Sequence, residues 1–413
     1  MTWLPEWRVT VNDDVYTNVT SVSYSTGRTD IDRQPTAGYC QVEIVNTDGA
    51  PFTINVTESI TLELKNTSGT YVTVFGGEVS DFSIGVRTGS DDGFVTSGTL
   101  LGIGSLAKLT KAIYNTALPE ALDGAQILAI LNGALNLTWN EANPIVTWDT
   151  YPATTTWNNA ETYIGEVDTG FYTMIAIAAS ATAKSLSLTD DIANSGLGQL
   201  YEDKYGDVCF ADADHRSNYL SANGYTFLDG DYAIPTTIKS TTAVSRIRNS
   251  LIYKYSTAYG STYTTSDPDS IALYGTYERS IDSNIKNLVD ITNIAERELN
   301  LRRSPRNQLE AITFRLTNEN IPSAMLDSLI TVFFGQPVLI NNLPSNLLDG
   351  TFAGFVENIT MKANPTYVDL TLYVTASDLS LSTTQWDTII PGTITWATTN
   401  ATLIWNNATG VLS

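Results

Sequence analysis

Apolar and polar residues alternate along much of the chain, and strands with one buried face are the element this predicts, because successive side chains of a strand point to opposite faces. "YCQVEIV" places Cys40, Val42 and Ile44 on one side, and "SITLELK" does the same with Ile60, Leu62 and Leu64. The pattern returns near the other end, with Ile312, Phe314 and Leu316 in "EAITFRL", Val338 and Ile340 in "QPVLINN", and Val368, Leu370, Leu372 and Val374 in "YVDLTLYV". Asn46 and Asn318 supply turn signals after the first run of each set. Each set also contains one short phrase, "VFGGEVSDF" from Val74 and "TFAGFVENI" from Thr351, both reading Phe-x-Gly-x-Val. The lead-ins "TNVTSVSYSTG" and "SRIRNSLIYKYSTAYG" agree in kind. An ordered series of five or six short strands with Gly/Asn turns, met twice, predicts two similar small β-barrels. The shared glycine suits a tight bend or bulge in a barrel strand.

Between the two series the period changes. "LDGAQILAILNGALN" predicts a short helix capped by Asp123, and "DTGFYTMIAIAASATAK" a buried helix opened by Asp168 or Thr169. "LGQLYEDKYGDVCFAD" predicts a hairpin turning around Lys204–Gly206. A further helix is expected in "SNIKNLVDITNIAERELNLRRSP", with Ser283 as N-cap and Arg302 and Arg303 in the last turn, where cations suit the helix dipole. The expected organisation is a first barrel over 1–112, an α+β insertion over 113–238, a second barrel over 239–378 with a helical insertion at about 260–306, and a Trp/Thr-rich tail over 379–413. The fold class is thus mainly β with an α+β insertion. The tail repeats a spacing met earlier: Trp148 and Trp157 stand nine apart, as do Trp396 and Trp405. These segments are expected either as arms on a neighbour or as edge strands.

Composition narrows the function. The 413 residues carry 44 acidic and 22 basic side chains, a net charge of −22. Nucleic-acid binding through phosphates needs clustered Lys and Arg, so such a chain is a poor candidate for it. The acidity serves either solubility or a surface that DNA passes without sticking. Cys40 and Cys209, the two cysteines, sit in apolar-alternating stretches and are expected as buried thiols. "MTWLPEWRV" lacks the basic start and apolar run of a signal peptide, and no apolar run approaches the length of a membrane span.

Candidate chemistry is sparse. The single histidine, His215, could join Asp212 and Asp214 at a metal, but a solvated turn is the stronger expectation. One histidine offers no persuasive Ser-His-Asp or Cys-His arrangement. The acidic pairs Asp13–Asp14, Asp91–Asp92 and Asp190–Asp191 could serve glycoside hydrolysis in principle, but all lie in turn-like contexts. No Gly-rich phosphate loop occurs. The reading is no catalytic, cofactor-binding or metal site, and no enzyme.

The ordered segments "SVSYSTGRTDIDRQPTAGYCQVEIVNTDG", "VFGGEVSDF" with "LLGIGSLAKL", "GQLYEDKYGDVCFADADHR", and "GQPVLINNLPSNLLDGTFAGFVENI" running into "YVDLTLYV" span about residues 6 to 376. In them the chain resembles the baseplate hub proteins of tailed bacteriophages, called minor tail proteins in many siphophages. These are similar in fold to the central hub of T-even phage baseplates. The resemblance implies a homotrimer at the distal end of the tail tube, whose six alike barrels mate a sixfold tail with a threefold tip. It implies as partners a hexameric distal tail ring protein, a tape measure protein and tail-tip spike or fibre proteins. DNA would pass through the lumen without specific binding, and the protein would reside in the virion after assembly in the host cytoplasm. Two other readings stay open: a receptor- or glycan-binding virion protein, suggested by abundant Trp, Tyr and Asn, and a polysaccharide-degrading enzyme using paired carboxylates.

Overall fold

Seven strands come first: β1 (Trp7–Val11), β2 (Asp14–Tyr16), β3 (Val19–Gly27), β4 (Thr36–Asn46), β5 (Ser59–Lys65), β6 (Tyr71–Thr88) and β7 (Phe94–Ile103). The computed structural model describes residues 3–46, 51–88, 94–135, 143–144, 165–256, 260–347 and 350–377. After β7 follow α1 (Leu106–Lys111), β8 (Ala121–Leu122), α2 (Asp123–Ala134), β9 (Asn143–Pro144), β10 (Glu166–Val167), β11 (Thr173–Met174), α3 (Ser185–Ser195), β12 (Gln199–Glu202), β13 (Val208–Ala211) and α4 (His215–Asn223). Then come β14 (Thr226–Asp229), β15 (Lys239–Thr242), β16 (Ser250–Tyr255), β17 (Ser261–Ser266), α5 (Pro268–Tyr274), β18 (Glu278–Asp282) and α6 (Leu288–Arg302). The chain closes with β19 (Asn307–Arg315), α7 (Ser323–Ile330), β20 (Pro337–Asn341), β21 (Phe352–Asn364) and β22 (Tyr367–Ala376). The protein is mainly β, built on a large and mostly antiparallel sheet.

That sheet has 13 strands in the order β15-β19-β22-β21-β3-β4-β7-β6-β5-β1-β2, with β20 joined to β21 and β14 to β20. From β3 the first series pairs as β3-β4-β7-β6-β5-β1, and from β15 the second pairs as β15-β19-β22-β21-β20-β14. The order is the same strand for strand. Only the last pair differs in direction, β1–β5 being antiparallel and β14–β20 parallel.

Register agrees too. Leu62 faces Phe75 and Ile60 faces Gly77 across β5–β6; Ile340 faces Phe352 and Val338 faces Gly354 across β20–β21. A bulge follows the valine in both copies, leaving Ser80 out of the β6–β7 ladder and Glu357 out of β21–β22. The common glycine has a common cause. A Cβ on Gly77 would lie 2.4 Å from the Ile103 carbonyl oxygen, and one on Gly354 would lie 2.3 Å from that of Thr375. Ile103 and Thr375 occupy matching places in β7 and β22. The backbones approach too closely beside the bulge for any side chain.

Two expected correspondences change. Val42 faces Leu100 and Ile312 faces Leu372, so Val42 matches Ile312, and Asn46 and Asn318 are not equivalent. The counterpart of β3 is the short β15, not the strand in "SRIRNSLIYKYSTAYG". That strand, β16, joins β17 and β18 in a separate sheet. Its Leu251, Tyr253 and Tyr255 alternate toward a different core. Alternation reports a buried face but not which core the face meets.

Apolar residues of both series, among them Val9, Leu62, Leu100, Phe314, Val356 and Leu370, form one core. Each is at most 2% exposed, and full burial of such a side chain is worth about 1.5–3 kcal/mol. The segment between the two series and the one inserted into the second share a second core. Leu109, Ile127, Ile192 and Phe210 pack with Leu251, Ile285, Ile291 and Ile294. The expected helical stretch at 260–306 therefore also holds strands β17 and β18.

Three helix expectations are corrected. Residues 168–184 are not helical; the helix α3 starts at Ser185. Their backbone is satisfied elsewhere: Ile175 donates to the Asn284 carbonyl, and Ile177 exchanges bonds with Leu118. Asp123 does not cap α2 but accepts the N–H groups of Phe171 (2.8 Å) and Tyr172 (3.2 Å). Helix α6 starts at Leu288, because Asn284, Ile285 and Lys286 are tied to residues 173–175 and 256 in extended form. The Trp148, Trp157, Trp396 and Trp405 segments lie outside the described residues.

Candidate functional site

The feature that unites the molecule is the seam between β3 and β21. Six residue pairs run from Asn358–Gly27 to Ala363–Val22, and they join the two strand series into one sheet. Strand β21 can serve both sides because it is long: one edge carries β22, and the other is shared by β20 at its start and β3 at its end.

Glu357 stands at the bulge where that edge changes partner. Its carboxylate accepts from Arg28 Nε (2.8 Å) and from Arg216 Nη1 and Nη2 (2.7 and 3.0 Å). All three side chains are buried. Burial alone would raise the Glu357 pKa, but Arg216 and then Arg28 outweigh it and hold the group at about 2. Arg28 follows β3, Arg216 lies on α4 and Glu357 on β21, so one carboxylate fixes both series and the insertion. Arg28 N–H also donates to the Glu357 carbonyl at 2.7 Å. Gly27 precedes it at φ +101, where a Cβ would meet that same carbonyl at 2.2 Å. A left-handed residue without a side chain is required there.

A second clamp holds the insertion to the first series. Glu202 on β12 accepts from the Gly38 N–H (2.7 Å) and the Leu106 N–H. Burial pushes its pKa up to about 7, against the pull of those two donors. The β12–β13 turn lies directly on the repeated phrase: a Cβ on Gly76 would meet the Tyr205 carbonyl at 2.2 Å. Gln34 adds bonds to Asn194 (2.8 Å), the Gly198 carbonyl (3.0 Å) and the Leu200 N–H (2.9 Å).

A cavity of about 280 Å³ lies beside the seam, lined by Arg28, Asp32, Arg216, Arg279, Glu298 and Arg302 among others. Asp32 meets Arg302 (2.9 Å), Arg279 (3.1 Å) and Arg248 (3.3 Å), and Arg279 also meets Glu298 (3.2 Å). This is a mutual charge network in which arginines cross from the α6 region to the β3–β4 loop. Arg302 thus ties α6 to Asp32, and Arg303 meets Asp267 at 3.2 Å, so both do more than complement a helix end.

His215 is not in a solvated turn. It begins α4, is 0% exposed, and its Nδ1 lies 2.8 Å from Asp168 Oδ2. Asp212 Oδ1 accepts the N–H groups of Asp214 and His215, both at 3.0 Å, and so shapes the start of α4. A fully buried imidazole offers no substrate access, and the Asp212 carboxylate binds backbone N–H groups. Among the described residues no cluster of His, Cys, Asp and Glu has a metal-holding arrangement. Asp190 and Asp191 lie on α3 rather than in a turn; Asp91 and Asp92 are outside the described residues. Cys40 and Cys209 are free and buried. Among the described residues no helix is long and apolar enough to cross a membrane.

Sequence reasoning did not find Arg28, Arg216 or Glu357. The available signal was small: the acid after the second Phe-x-Gly-x-Val falls on the bulge, whereas Asp81 after the first copy lies one place beyond it.

Repeated strand series, a shared seam and a buried ionic clamp define a mainly β fold. No protein-family model matches the chain, and no curated protein sequence matches it. Its fold is that of phage tail proteins. The 43 kDa tail protein of prophage MuSo2 from Shewanella oneidensis matches with TM-score 0.56 at 14% identity, over 91% of this chain and 99% of that one. The tail protein from Neisseria meningitidis MC58 matches with TM-score 0.59 at 11% identity, over 91% and 98%. The prophage tail protein gp18 from Listeria monocytogenes EGD-e matches with TM-score 0.50 at 10% identity, over 90% and 95%.

Proposed function

We propose that the chain is a structural virion protein, the hub of a phage baseplate or tail tip. The observation that carries this reading is the pair of strand series with common order, register and bulge, in a fold that phage tail proteins share over nearly their full length. Each series is one barrel-like module, and three chains present six alike modules around a ring. Such a ring mates a hexameric tail ring above with a trimeric spike or fibre below, with the tape measure protein and then DNA passing through its centre. The net charge of −22 suits a conduit that repels phosphate over a Debye length of about 8 Å at physiological salt. The expected organisation into modules over 1–112 and 239–378, an insertion over 113–238 and a tail from 379 belongs to this reading, with one correction: β14 (Thr226–Asp229) pairs with β20 and so moves from the insertion to the second module.

The test is position and copy number. In purified phage particles, antibody to this chain should label the tail tip, with three copies per particle by quantitative mass spectrometry. Labelling of the capsid, or absence from particles, overturns the reading. Loss of a glycan-degrading activity on substitution of an acidic residue would replace it with an enzymatic one.

A further inference from the structure

The first series lacks a partner that the second one has. In β21 the edge left free by β20 is taken by β3. In β6 the matching edge is covered by β5 only as far as Glu78, and among the described residues its neighbours in the sheet are β5 and β7. At the other end of the sheet β15, the counterpart of β3, has β19 as its single neighbour among the described residues. Both halves of a second seam are therefore present in one chain, each without its mate among the described residues.

The side chains along the β6 edge fit this. Through the common register, Ile359, Met361 and Ala363 of β21 match Phe82, Ile84 and Val86 of β6. In the seam, Met361 is 0% and Ala363 7% exposed, while Ile84 is 56% and Val86 63% exposed. An open strand edge bearing large apolar side chains is a template for pairing with another chain.

We infer that the β6 edge from Asp81 to Val86 receives strand β15 of a second copy of this chain, in the antiparallel register of the β3–β21 seam. The inference rests on the hub reading and names the surfaces that build its ring. Ser23 pairs with Lys362 in the seam. Its counterpart Lys239 is then placed opposite Gly85 of the neighbour, where the glycine leaves room for the lysine stem. Within one chain β6 and β15 are not paired and stand seven strand steps apart in the sheet order. The two edges differ, so the contact is head-to-tail, and in the hub reading its rotation closes a ring after three copies. With three copies, internal and intermolecular seams alternate around it.

The test uses the full chain in solution. Sedimentation equilibrium should show a trimer, and the Ile84→Asp/Val86→Asp variant should associate about a hundredfold more weakly with an unchanged circular dichroism spectrum. Gly85→Cys combined with Lys239→Cys should give disulfide-linked trimers under oxidation, since directly opposed residues lie within disulfide reach, while each single variant gives none. A trimer that neither cross-links nor responds to the aspartates overturns the assignment of these edges and leaves the hub reading standing. A chain that stays monomeric and never cross-links overturns the pairing itself; labelling of the tail tip then decides the hub reading separately.

Discussion

The two strand series share their order, their register and the glycine that the bulge demands, yet they differ at the residue the bulge expels. In the second series it is Glu357, buried between two guanidinium groups; in the first it is Ser80, exposed and bonded to the Leu101 carbonyl at 3.2 Å. Common geometry sets where a strand edge becomes available. The expelled side chain decides how firmly that edge is closed. Breaking one buried ionic partner strands the others in low dielectric, which costs far more than a surface bond gains.

The sharpest way to break the comparison is at that residue. Glu357→Ala leaves Arg28 and Arg216 buried without their anion and should cost about 3–5 kcal/mol in urea denaturation. Ser80→Ala should stay within about 0.5 kcal/mol. Equal losses would show that the bulges serve the same purpose.

Acidity separates the two clamps next. Glu357 titrates at about 2 in the fold against 4.5 for an ordinary glutamate, so its contribution is present above about pH 4.5 and lost as pH falls toward 2. Glu202 titrates at about 7, so its contribution is complete below about pH 4.5 and lost as pH rises through 7. At 1.36 kcal/mol per unit the Glu202 change amounts to about 3 kcal/mol. In melts taken across pH, Glu202→Gln should flatten the neutral limb and Glu357→Gln the acid limb. A Glu202→Gln profile matching the parent's would dismiss the clamp on the first series.

The shared glycine gives a smaller effect that should be symmetrical. Gly77→Ala and Gly354→Ala each drive a methyl into a carbonyl and should each destabilise by about 1–3 kcal/mol. If only one does so, the two phrases do not share a structural cause. Smallest of all is the surface. Arg315 and Asp369 form a two-bond pair at 2.8 and 2.9 Å where the first series has Val45 and Ser97. Asp369→Asn should cost less than about 1 kcal/mol and less still in high salt.

Much of the sheet is legible in the sequence. Ile60, Leu62, Leu64, Val338 and Ile340 advertise their strands because alternation is a local consequence of the pleat, and the repeated phrase marks its bulge because the glycine is compelled sterically. What a short stretch of sequence does not carry is non-local. Lys239–Thr242 is four polar residues long and takes its place through pairing with β19, while the more strand-like Ser250–Tyr255 faces another core. Residues 168–184 look helical by composition, but their backbone partners lie at residues 118, 123 and 284. His215 looks like a turn residue because the acids around it are seen as solvated, when Asp168 and Asp212 in fact meet it inside. The clamp at Glu357 joins positions separated by 329 and 141 residues, a relation no short window holds.

That separation bears on the order of events during synthesis. The strand ending at Gly27 leaves the ribosome among the first, but the carboxylate that neutralises Arg28 and Arg216, together with the β-edge that covers β3, is translated more than three hundred residues later. Until then a nascent chain carries two cations awaiting burial and an unpaired ladder, so completion of the fold is withheld until the C-terminal strands emerge. Truncated polypeptides consequently lack the last fastening of β3.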